Sequence, residues 1–172
     1  MATNESHLKN LMGHVMQIIY MVFLGILIAV FCGLGIDTFY TAPKSPEYPV
    51  VLQNEVYKAD PTVQTDEEIA AQKAFDEQQA QYEKDMKPYS RNVSIIALVL
   101  AVIALALSLT VLIRWEVIAN GVLLGGIFTL GYSIIMGMAS EDTKFRFIMV
   151  TCGVLIALVL GYVKFIKADK KA

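Results

Sequence analysis

Charge is what four long stretches of this 172-residue chain lack. No Asp, Glu, Lys or Arg interrupts the interior of residues 11–36, 93–113, 117–138 or 147–166. Each run has the roughly 20 mostly apolar residues that a bilayer-crossing helix requires. A charge at mid-span costs about 2.5–3.5 kcal/mol on insertion scales, so its absence makes all four credible spans. The same absence removes the usual mark of pumps and ion-coupled carriers, an intramembrane acid or base.

Other things are scarce too. There are two cysteines, Cys32 and Cys152, both inside apolar runs. They form neither a metal-binding spacing nor a secreted disulfide framework. Counted from the outer ends of spans one and four they stand at matched depth. A bridge then requires neighbouring helices with Cα atoms closer than about 7 Å, and two unpaired residues are the default. Basic residues do not interleave with aromatics, and the net charge is only −2, so no nucleic-acid partner is expected. There is no Ser/His/Asp grouping, phosphate-cradling glycine loop or zinc-spaced His/Cys set. No enzyme, cofactor or metal is therefore expected. The first apolar run exceeds the 7–15 residues of a signal-peptide core and is read as a span.

What is present is apolar residues, 56% of the chain, above the roughly 45–50% of a soluble domain. The expected fold is an all-α membrane protein, a four-transmembrane-helix bundle. Residues 1–10 form a short cytoplasmic N-terminus and 167–172 a basic cytoplasmic tail. Lys9, Arg114 and the tail lysines on one side favour both termini in the cytoplasm by the positive-inside rule. Residues 37–92 then form an extracytoplasmic loop, while the connections at 114–116 and 139–146 are short enough to make spans two, three and four antiparallel neighbours. Trp115, Tyr162 and Phe165 at one interface and Phe39, Tyr40, Tyr89 and Phe145 at the other fit an aromatic belt.

The loop has two parts. Pro43, Pro46, Pro49 and Pro61 predict an extended, proline-rich arm over 37–64, with a weak strand signal at Val50, Val51 and Leu52. Thr65 and Glu68 have the spacing of a capping box, which predicts an amphipathic helix over 65–89 that Pro88 ends or kinks. Phe75, Tyr82, Met86 and Tyr89 share one edge of it, a candidate contact face for a partner or a second copy.

Inside the spans, small residues recur at helical spacing. Gly121, Gly125, Thr129, Ser133 and Gly137 mark a packing seam on the third. Gly25, Ala29 and Gly33 do so on the first, Gly153, Ala157 and Gly161 on the fourth. The second has Ser94, Ala97, Ala101, Ala104 and Ser108. Small side chains let backbones approach closely, which in lipid replaces the hydrophobic effect as the source of association. A polar cluster of His14, Gln17 and Asn120 is expected at one depth, either a ligand or proton site or interhelical hydrogen-bond glue.

The layout of a long first loop and three short connections resembles that of claudins, but the tryptophan and paired cysteines of that family's loop are missing. The glutamate that small four-helix drug exporters carry in their first span is missing as well. The expected function is therefore that of a non-enzymatic accessory or structural subunit of a membrane assembly. Its partners would be the bilayer and another membrane protein or a second copy, engaged through the first loop. The alternative is a small oligomeric transporter or channel with a polar path through His14, Gln17, Asn120, Thr129 and Ser133.

Overall fold

A computed structural model describes residues 2–53 and 65–166 of the chain. Its helices are α1 (Ala2–Phe39), α2 (Val50–Gln53), α3 (Asp66–Thr110), α4 (Glu116–Ala139) and α5 (Thr143–Gly161). A 3-10 turn at Leu112–Arg114 joins α3 to α4, and a π-helical turn at Tyr162–Ile166 follows α5. No strand occurs among the described residues, and α1, α3, α4 and α5 are long and apolar enough to cross a membrane. Pro61 and the basic tail 167–172 lie outside the described residues. The chain divides into two compact units, Ala42–Tyr89 and the remainder, Met1–Thr41 with Ser90–Ala172.

Three boundaries differ from expectation. Helix α1 takes in residues 2–10 and runs on to Phe39. Residues 65–89 are no separate helix: α3 joins them to the second span in one 45-residue element that passes through Pro88. Proline removes the N–H that would reach the Lys84 carbonyl and crowds that carbonyl with its ring; both residues are exposed. Val50–Gln53 forms a helical turn, the Leu52 N–H donating to the Pro49 carbonyl at 3.1 Å, and not a strand.

In the four-helix unit the burial pattern is the inverse of a water-soluble bundle. Fully buried side chains include Ser90, Ser94, Thr129, Ser133, Ala97 and Ala101, while Phe31 is 76% exposed and Leu158 66%. In water so much large apolar surface demands a cover; in lipid it faces a matching solvent, and close contact falls to small residues.

Helix α4 is the one against which the others pack. A Cβ placed on Gly121 would lie 2.7 Å from Leu24, and one on Gly125 2.8 Å from Ile28 and 3.2 Å from the Gly25 carbonyl oxygen. One on Gly25 would in turn lie 3.0 Å from Leu124. These pairs advance together in number, so α1 and α4 run parallel. Helix α3 runs antiparallel to α4 and is bonded to it at both ends. The Ser94 hydroxyl donates to the Ser133 carbonyl at 2.7 Å and the Ser133 hydroxyl to the Ser94 carbonyl at 2.8 Å. At the opposite end the Ser108 hydroxyl donates to the Ala119 carbonyl at 2.6 Å. Between them Leu105 fills the space above Gly126. Helix α5 seats Met149 beside Gly137, and Ile134 beside Gly153. The turn into it is tight: Glu141 takes a left-handed φ of 58°, and Asp142 caps α5 by accepting from the Lys144 and Phe145 N–H groups.

Candidate functional site

Within Ala42–Tyr89 one half of the expected capping box forms, the return bond from Glu68. The Thr65 N–H donates to Glu68 Oε2 at 2.8 Å, and Glu68 is buried. Residues 41–49 have no regular secondary structure. Part of this segment borders α3: Tyr48 meets Phe75 edge to face, with ring centroids 5.3 Å apart. Leu52 is buried at 2% exposure. A groove of about 610 Å³ lies between Pro43, Lys44 and Glu47 on one wall and Gln78, Tyr82 and Asp85 on the other.

Of the candidate contact face, Phe75 is thus covered in part by Tyr48, and Tyr82 lines the groove. Met86 is half-buried and Tyr89 buried. Removing the Phe75 ring should release Tyr48, since an edge-to-face pair is worth about 0.5–1.5 kcal/mol beyond its buried area. Phe75→Ala is expected to speed limited proteolysis at residues 43–49 several-fold while leaving fragments of the four spans intact. Unchanged cleavage would show that the ring pair does not hold the segment.

The structure does not bring the intramembrane polar cluster together. His14 and Gln17 are exposed. The α1–α4 register puts Asn120 beside residue 23, so His14 stands about nine residues, or roughly 13 Å of helical rise, farther along α1. Asn120 accepts instead from the Lys164 ammonium, at 2.7 Å. Sequence reasoning missed that pair, because no spacing links Lys164, near the end of the fourth apolar run, to Asn120 near the start of the third. The hydroxyls of the alternative path are committed as well. Thr129 donates to the Gly125 carbonyl of its own helix at 2.9 Å, and Ser133 to Ser94 as above.

All five seam residues of α4, Gly121, Gly125, Thr129, Ser133 and Gly137, are buried, and so is Gly126, which the four-residue spacing passes over. The first two meet α1, whereas Gly137 meets Ser94 of α3 and Met149 of α5. Cys32 and Cys152 are both free and half-buried. The matched depth expected for them is corrected by the registers: Cys32 falls near position 130 of α4 and Cys152 near 135, about 7 Å apart along the axis. Among the described residues no group of three or more His, Cys, Asp or Glu side chains stands close enough to hold a metal.

No protein-family model matches the chain, and no curated protein or solved structure matches it.

Proposed function

We propose that the chain is an integral membrane protein with four spans that serves as a non-enzymatic accessory or structural subunit of a membrane assembly. In this reading both termini are cytoplasmic, and the proline-rich arm with the first half of α3 forms an extracytoplasmic module that engages a membrane-protein partner. The observation that carries it is where the polar groups are spent. Inside the four-helix unit, Ser94, Ser108, Thr129 and Ser133 all donate to backbone carbonyls. Outside it, the groove beside Pro43 and Tyr82 carries Lys44, Glu47, Gln78 and Asp85 on a surface open to a partner. A transport path through His14, Gln17, Asn120, Thr129 and Ser133 has less support, because its hydroxyls are occupied and its first two members are exposed.

The test is purification in mild detergent of the full chain and of a form lacking residues 43–87. The full chain is expected to bring down a stoichiometric membrane partner that the deleted form loses. A lone monomer from the full chain, or an unchanged complex from the deleted form, would refute the proposal. Labelling of Gln78→Cys by a membrane-impermeant maleimide on intact cells reports the side. Labelling only after lysis would reverse the assignment.

A further inference from the structure

Helix α5 packs through its first half alone. Met149 and Gly153 are its buried residues, and every position from 154 to 161 is exposed or half-buried. Two hollows flank that second half, and a third adjoins them beyond its end. One of about 330 Å³ lies between α3 and α5, walled by Val102, Ala106, Leu155 and Val159. Another of about 340 Å³ lies between α4 and α5, walled by Leu123, Ile127, Ala157 and Gly161, with Lys164 also on its wall. The third, of about 300 Å³, is lined by Ser108, Ile113, Glu116 and Lys164. They adjoin: Leu160 borders the first two, Lys164 the second and third, and Leu109 the first and third.

The charges at this end are unspent. The Lys164 ammonium has three N–H donors and gives one to Asn120. Glu116 lines the same hollow as Lys164, yet the two make no ion pair with each other. An apolar groove that ends at one cation and one anion matches a molecule with two hydrocarbon chains and a headgroup bearing both signs.

We propose that this site binds an aminophospholipid of the phosphatidylethanolamine class. The phosphate accepts from the free donors of Lys164, the primary ammonium donates to Glu116, and the acyl chains lie in the two apolar grooves flanking α5. A purely anionic headgroup would set its charge against Glu116, and a quaternary ammonium would have no N–H to donate to it. Lys164 stands on the π-helical turn Tyr162–Ile166 that follows α5. The proposal rests on the spanning reading above and is independent of the partner and of which leaflet is involved.

The test uses the full chain reconstituted in vesicles of equal parts phosphatidylethanolamine, phosphatidylcholine and phosphatidylglycerol. The protein is re-extracted in mild detergent, and its retained lipids are counted by native mass spectrometry. Phosphatidylethanolamine should exceed phosphatidylcholine about threefold to fivefold, the upper part of what a single partly solvated ion pair allows. Glu116→Gln should erase that preference and keep the total, while Lys164→Gln should lower retention of all three lipids by a similar factor. A Cβ at Gly161 meets nothing within 4 Å, so Gly161→Leu is accommodated by the fold. Its side chain enters the α4–α5 groove and should reduce retention whatever the headgroup. Equal retention of the three lipids, preference for phosphatidylglycerol, or an unchanged Lys164→Gln protein would overturn the site. A chain that alkaline carbonate strips from the vesicles would overturn the spanning reading itself.

Discussion

Gly125→Leu is expected to separate α1 from α4 and abolish the native bundle. A Cβ there already lies 2.8 Å from both Cβ and Cγ2 of Ile28 and 3.2 Å from the backbone oxygen of Gly25. Neither neighbour has a flexible end that can swing aside, since Ile28 is β-branched and held at χ1 in a helix and the other atom is main chain. Even Gly125→Ala should cost about 1–3 kcal/mol of overpacking. Leucine adds three further carbons to the same gap and should exceed that range. Unfolding in mixed micelles of increasing SDS content, followed by circular dichroism, reads the loss.

The contrast within α4 makes the prediction specific. A Cβ on Gly131 meets nothing within 4 Å, so Gly131→Ala should be neutral or gain the roughly 0.5–1 kcal/mol that alanine holds over glycine in a helix. Ile28→Ala should restore part of the stability lost in Gly125→Ala, because it removes Cγ2 from the clash. Equal effects at positions 125 and 131, or no rescue, would mean that α1 does not pack where the register puts it.

The four helices long and apolar enough to cross a membrane were legible in the sequence, because length and the absence of charge are enough to mark them. What lay beyond was partners and boundaries. Four-residue steps advance 400° around an α-helix, so each successive small residue drifts about 40°. The row from Gly121 to Gly137 therefore faces α1 at one end and α3 with α5 at the other, although its spacing reads as a single seam. On α1 and α5 the rows outlast their contacts: Gly25 and Gly153 receive neighbours, while Gly33 and Gly161 meet open space. Small size permits approach and says nothing about what approaches. Pro88 was expected to end or kink the helix, and α3 does not end there, since the cost of an interior proline depends on its surroundings. Depth was misjudged for His14 because α1, with 38 residues, is longer than α4, with 24, so distance from a helix end is no measure of level.

The pairing of Ser94 with Ser133 was closer to the surface of the sequence. With spans two and three joined by a tight turn around Trp115, residues about equally far from it on either side come opposite one another. Ser94 and Ser133 nearly satisfy that condition, in spans that hold few other hydroxyls. Each is fully buried, and each donates to the other's carbonyl. Those carbonyls also face the N–H groups of their own helices, so removing a hydroxyl leaves no orphaned acceptor. The expected loss for Ser94→Ala or Ser133→Ala is therefore about 0.6–1.7 kcal/mol, the range found for interhelical hydrogen bonds in membranes. The double replacement should lose less than the sum, because the first change already loosens the close approach that the second bond needs. This cycle also discriminates between the functional readings. A hydroxyl that lines a water-filled path changes flux when removed and leaves stability nearly untouched. Ser133→Ala should do the reverse: stability measured in mixed micelles should fall, and vesicles holding the wild-type and variant proteins should show the same solute leakage. A variant as stable as the wild type but altered in flux would turn the balance towards transport.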